Sequence, residues 1–382
     1  MLKIKFENLL VILVLTLIVG YDTLMTTMLN RIIPNLPVVL LICFSLLLCF
    51  RFLYIKKFTF FYILTSILLL ATSSVVFMST GGTNFLLYSL LILLLYDADI
   101  DVILKTYVIV SGAIVLGVFV LSILGVIPNL QFAQVRSSVL VIRNSFGFIY
   151  PTDFASHCFY LFIAWGYVLR KRFIILRTLV GISLAFFIIK FCDARLNALS
   201  VLVATVIFIV MYVTKERKFK IYGILPYSAA IFSSIMFYLT YFFTWSSSLF
   251  VSLNNLFSMR LFLGKNAIET YGLHLFGATG VKFIGYGGTT ESVYSYNYVD
   301  SSYIQMLFYY GVVPVVLLVL IYVLASKRIY KQGMFLFLAL LSLITINCMI
   351  EAFWIRPGYN IFIFTLFASL VPVQYKIKDR IE

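Results

Sequence analysis

Residues 257–311 read FSMRLFLGKNAIETYGLHLFGATGVKFIGYGGTTESVYSYNYVDSSYIQMLFYYG. The part running from Met259-Arg260 through Gly285, Gly287 and Gly288 to Val299-Asp300-Ser301-Ser302-Tyr303 is the only long polar segment in a chain that is 63% hydrophobic. Unpaired polar groups are costly in hydrocarbon, so this segment belongs outside a lipid phase. Chemistry, if the chain performs any, belongs near it.

The rest of the chain reads as the lipid-immersed part. A mean hydropathy of +1.08 with 11% charged residues excludes a soluble globular protein. The apolar residues run on continuously, over lengths that suit helices of about 17–25 residues, without the alternation of a barrel strand. The expected fold is an all-α integral membrane protein, a single polytopic domain over 1–382. Cys43, Cys49, Cys158, Cys192 and Cys348 form no CxxC pair. A disulfide framework or metal site is therefore not expected, and no cofactor is implied.

Hydropathy predicts about twelve transmembrane helices, at 9–29, 35–50, 58–78, 85–96, 106–126, 154–169, 173–190, 196–214, 220–243, 303–325, 334–353 and 358–373. The fourth is short and reads as a re-entrant or strongly packed half-helix. The basic head with Lys3 and Lys5 lacks a cleavage site and reads as a retained anchor. Segments on one side of these spans hold 20 of the 29 lysines and arginines, which puts both termini in the cytoplasm. Loops 127–156 and 244–302 are then extracellular and form the candidate active site. Phe257, Leu261, Ile268, Tyr271 and Leu275 recur at helical spacing, which predicts a surface helix within the long loop. The net charge of +15 is spread over many loops, which suits membrane lipids and argues against nucleic acid.

Basic residues that remain outside need a reason, and they are Arg31, Arg136, Arg143, Lys190, Arg195, Arg260, Lys265, Lys282 and Arg356. For Arg31 and Lys282 snorkelling or local pairing is reason enough. Arg143, Arg195 and Arg260 are each flanked by polar or glycine-containing turns, where a planar fork of donors suits a phosphate or pyrophosphate. Asp153 and His157 share one helix face, either as a capping and a packed residue or as a binding pair, with Pro151 in the first turn and Thr152 as a cap. His274 reads as structural.

Asp300 has two open readings, a helix cap or a general base for an acceptor hydroxyl. Tyr286, Tyr294, Tyr296 and Tyr298 offer amphipathic surfaces for sugar rings. Asp22 and Glu351 are the acids that fall deep in the spans. Asp97-Ala98-Asp99-Ile100-Asp101 has the form of a metal-binding DxD motif but falls on the cytoplasmic side, with no βαβ domain beside it.

Arg143-Asn144-Ser145-Phe146-Gly147-Phe148, Tyr150-Pro151-Thr152-Asp153-Phe154-Ala155, Asp193-Ala194-Arg195, Met259-Arg260 with Gly264, Ala267 and Gly272, and Val299-Asp300-Ser301-Ser302-Tyr303 ending in Gly311 together resemble the Wzy-type repeat-unit polymerases of capsule, exopolysaccharide and O-antigen synthesis. The motif content is confined to 143–157, 193–197 and 259–311. The resemblance implies a GT-C-like, metal-independent membrane glycosyltransferase of the bacterial cytoplasmic membrane. It would transfer a growing glycan from undecaprenyl pyrophosphate to a lipid-linked oligosaccharide repeat unit on the outer face. It further implies that Arg143, Arg195 and Arg260 hold the pyrophosphates, and, together with the residues' own chemistry, the candidate site is then Asp300, Arg195 and Arg260 in catalysis and Arg143, Asp153, His157, Tyr286 and Arg356 in substrate binding. A flippase and a chain-length regulator are the implied protein partners. The related ligases carry a His-Asn pair where Asp300-Ser301 stands here, which favours a polymerase. A lipid-linked oligosaccharide transporter and a non-catalytic membrane subunit are the competing classes.

Overall fold

The computed structural model describes residues 6–33, 36–52, 59–136, 139–290 and 295–368. Helices α1 (Phe6–Leu24), α2 (Pro37–Phe52), α3 (Phe60–Thr80), α4 (Asn84–Leu94) and α5 (Ile100–Ile123) are followed by a hairpin of β1 (Gln131–Arg136) and β2 (Val139–Asn144). Then come α6 (Pro151–Val168), α7 (Ile174–Phe187), α8 (Arg195–Val213), α9 (Ser228–Tyr241), α10 (Ser248–Leu256), α11 (Arg260–Tyr271), α12 (Ser302–Tyr309), α13 (Val312–Lys331) and α14 (Phe335–Asn347). Six helical stretches among the described residues are long and apolar enough to cross a membrane, and α1, α2, α4 and α14 are shorter apolar helices. The chain is a mostly helical membrane protein.

Several expected spans take a different form. Residues 220–227 make two 3-10 turns, with Pro226 in the second, before α9 begins. The described part of 358–373 holds a 3-10 turn at Phe362–Thr365 in place of an α-helix. The fourth span is indeed short: α4 is about 16 Å long at 1.5 Å per residue and lies packed between α2 and α3, with Leu87 through Leu94 buried. The hairpin departs from the all-α expectation. β1 and β2 pair antiparallel with Phe132 opposite Arg143, and the β-branched Val139, Val141 and Ile142 favour that conformation.

The helix expected from Phe257 to Leu275 is α11, which ends at Tyr271, and α10 precedes it. They meet at Ser258 and Met259, both in left-handed backbone conformation. Arg260, Gly264 and Ala267, at i, i+4 and i+7, share one face of α11. Gly264 and Ala267 are buried, and a Cβ on Gly264 would stand 2.7 Å from Thr240 Cγ2 of α9. Arg260 therefore enters the bundle on the face that packs, not on the face that would meet lipid.

The span expected at 303–325 breaks at Gly311, whose φ is +93°. A Cβ there would collide with the backbone of Leu275 and Gly277. That approach lets Val312 N–H reach His274 O at 3.0 Å and Ala278 N–H reach Phe308 O at 2.8 Å, pinning the polar segment onto the α12–α13 junction. Gly311→Ala should therefore lose more stability than the roughly 1–3 kcal/mol of backbone strain alone. Gly333→Ala, at φ +74° with no atom nearer than 4.0 Å, should lose only the backbone share. Thermal unfolding of the two purified variants separates them, and equal losses would mean that the collision relaxes freely.

Candidate functional site

At one end of the bundle Asp97 N–H bonds Phe367 O and Asp101 pairs with Arg170 at 2.9 Å. The candidate site residues gather at the opposite end. Arg260, at the start of α11, donates from Nε to Ile350 O at 2.7 Å and from Nη1 to Phe257 O at 3.2 Å, and its Nη2 lies 3.4 Å from Asp300 Oδ2. The Asp300 side chain stays 28% exposed, so it can be reached. Burial raises its carboxyl above the ordinary carboxylate range, and the Arg260 charge draws it partly back.

The cap reading of Asp300 does not hold. Ser301 is the N-cap residue of α12 and makes no side-chain cap bond. The helix start is held instead by Ser302, whose N–H reaches Cys348 O at 3.0 Å and whose Oγ donates to Glu351 O.

Pro151 occupies the first turn of α6 as expected, but Tyr150, not Thr152, is the N-cap residue, and it makes no side-chain cap bond. Asp153 and His157 share a face and meet through Tyr359. The Tyr359 hydroxyl donates to Asp153 Oδ1 at 3.1 Å, and its ring stacks on His157 with centroids 3.9 Å apart. His157 Nε2 lies 2.8 Å from Thr26 Oγ1 and the residue is fully buried, so it serves as packing and positioning.

Glu351 was not among the expected site residues. It lies beyond the end of α14 and accepts from Asn197 Nδ2 at 3.3 Å, and Asn197 in turn meets Ser156 at 3.4 Å. This ties the turn that grips Arg260 to α6 and α8. Its signal in the sequence was that it is the only acidic residue between Asp300 and Asp379.

The three expected pyrophosphate arginines separate. Arg143 is buried, with Nε on Cys192 O at 3.0 Å and Nη1 on the Tyr150 hydroxyl at 3.0 Å and on Gln134 Oε1 at 3.3 Å. Asn144 Nδ2 reaches Phe191 O at 3.2 Å. The hairpin thus clamps the corner that leads into α8. Arg195 opens α8, held by Nε to Asp193 Oδ1 at 3.1 Å, and its side chain is 61% exposed. It is the candidate arginine presented to solvent, while Arg143 and Arg260 spend donors on protein carbonyls. Lys265 also finds local partners, in Glu269 and Tyr241 O, and Arg31 reaches Gly288 O. Tyr286 stacks on Tyr150 at 5.3 Å and meets Tyr296 at 5.6 Å. Tyr294 and the side chain of Arg136 fall outside the described residues.

Arg356 lies on the other flank. Its Nη2 is 3.0 Å from Asp22 Oδ1, and Asp22 Oδ2 accepts Gly358 N–H at 2.9 Å. The acid expected deep in the first span therefore sits at its end and neutralises a site arginine. This pair lines a cleft of about 660 Å³ between α1, α3, α4 and α12. Asp97-Ala98-Asp99-Ile100-Asp101 is accounted for by folding: Asp99 caps α5 through Asp101 N–H, and Asp101 pairs with Arg170. No family model, curated protein or solved structure matches the chain.

Proposed function

We propose that this chain is an oligosaccharide repeat-unit polymerase, a membrane glycosyltransferase that moves a growing glycan from undecaprenyl pyrophosphate onto a lipid-linked repeat unit. The observation that carries this reading is the reachable Asp300 carboxylate beside Arg260, at the end of an apolar bundle and next to a cleft rich in aromatic rings. The order of the motifs along the chain agrees with it. In this reading the short and irregular segments complete about twelve crossings of a GT-C-like bundle. The charge bias puts both termini in the cytoplasm and the site end on the outer face.

The acceptor hydroxyl attacks the anomeric carbon of the donor sugar while Asp300 takes the hydroxyl proton. The new glycosidic C–O bond forms as the bond to the pyrophosphate oxygen breaks, and undecaprenyl pyrophosphate departs with the electron pair. Arg195, exposed at the start of α8, meets the developing negative charge. Arg260 fixes Asp300 and moderates its proton affinity. No step needs a metal or a sugar nucleotide.

Purified protein in lipid, given lipid-linked repeat units of the host, should yield a ladder of polymer. An unchanged substrate pool would overturn the reading, and movement of intact repeat units across a vesicle bilayer would put a transporter in its place. The orientation has its own test, in a cysteine-free background. Glu269→Cys, on the exposed side of α11, should react with a membrane-impermeant maleimide on intact cells. Reaction only after permeabilisation would reverse the topology.

A further inference from the structure

The Asp22–Arg356 pair changes what the cleft beside it can bind. An arginine that grips pyrophosphate must present its terminal nitrogens: Arg195 pairs with Asp193 through Nε and stays 61% exposed, whereas Arg356 spends Nη2 on Asp22 at 3.0 Å and is 32% exposed. A matched guanidinium and carboxylate present a locally neutral wall with fixed donors and acceptors. Around that wall stand the rings of Tyr88, Tyr298, Tyr309 and Tyr310, the last stacked on Phe85 at 4.9 Å. Flat apolar faces with polar rims, beside paired hydrogen-bonding groups, are what a pyranose ring requires: its axial C–H groups cover a ring face and its hydroxyls need donors and acceptors at fixed places. A volume of about 660 Å³ is in the range that holds a short oligosaccharide.

The cleft also adjoins the reacting carboxylate. Tyr298 lines it two residues before Asp300, and Gln305 lines it while donating Nε2 to Val299 O at 3.0 Å. We propose that this cleft is the site for the sugar portion of the acceptor repeat unit, not for a pyrophosphate, and that it delivers the acceptor hydroxyl to Asp300. This deepens the polymerase reading and rests on it for the identity of the acceptor. The binding itself can be measured without turnover.

The probe is the soluble oligosaccharide released by mild acid from the host's own lipid-linked repeat unit. Saturation-transfer NMR with the purified full chain in micelles should show transfer to the sugar ring protons. Tyr309→Ser removes a half-buried ring and should weaken binding about tenfold. Inorganic pyrophosphate should not displace the sugar from wild type, whereas Asp22→Asn, which uncovers the Arg356 charge, should gain pyrophosphate binding. Wild-type transfer that survives unchanged in Tyr309→Ser, or that pyrophosphate abolishes, overturns the proposal even if polymer is made. Sugar binding lost in Tyr309→Ser, in a chain that makes no polymer from lipid-linked units, would keep the cleft and discard the polymerase.

Discussion

Asp300→Asn is expected to insert, purify and unfold much like wild type yet to make little or no polymer, leaving single repeat units on the lipid carrier. The start of α12 does not depend on this carboxylate, since Ser302 is tied to the carbonyls of Cys348 and Glu351. The amide oxygen of asparagine still offers Arg260 an acceptor. What asparagine cannot do is take the acceptor's proton, and loss of general-base assistance costs about 10²- to 10⁴-fold in rate.

The wild-type pH profile carries the same signature. The base works deprotonated, so activity falls as pH drops through the Asp300 pKa. Burial places that acid limb above the ordinary carboxylate value, and Arg260 holds it lower than burial alone would. Replacing Arg260 with glutamine should move the limb to higher pH. Polymer made by Asp300→Asn at more than about a tenth of the wild-type rate would remove Asp300 from the chemistry, given the minimum loss expected of a base.

Arg260→Lys carries the second large effect, and it divides into two readouts. One guanidinium spans Ile350 O, Phe257 O and Asp300, and its side chain is 10% exposed. An ammonium on an unbranched stem cannot meet three partners in that fan, and a buried carbonyl left without its donor costs about 1–3 kcal/mol. Arg260→Lys should therefore lower thermal stability as well as polymer yield. Arg195→Lys should leave stability within about 1 kcal/mol, because the Arg195 side chain is 61% exposed and lysine keeps a cation beside Asp193, and should still shorten or abolish polymer. Thermal unfolding beside product gels at matched protein amounts distinguishes them. Full-length polymer from Arg195→Lys would reduce that arginine to general charge.

Much of this architecture is legible in the residues themselves. Long apolar runs dictate helices because lipid leaves backbone groups no partner but their own chain, and the polar residues 257–311 stand out for the same reason. Even the inward turn of Arg260 is written as the i, i+4, i+7 spacing with Gly264 and Ala267, whose small side chains admit α9 closely. The break at Gly311 and the hairpin carry weaker local signals, because a lone glycine and one short β-branched run, at Val139, Val141 and Ile142, also fit continuous helices.

Which arginine is spent and which is presented was decided only by tertiary structure. Arg143, Arg195, Arg260 and Arg356 look alike in sequence, each a cation at a polar turn. Arg195 keeps a partner two residues away, Asp193, while the other three are held by groups far away in the chain: Arg143 by the Cys192 carbonyl, Arg260 by Ile350 and Asp300, Arg356 by Asp22. Hydropathy and turn chemistry act over a few neighbouring residues. The partner of a buried charge is set by which helix ends meet, so composition and spacing identified the polar end of the bundle and the packing of its helices assigned the work within it.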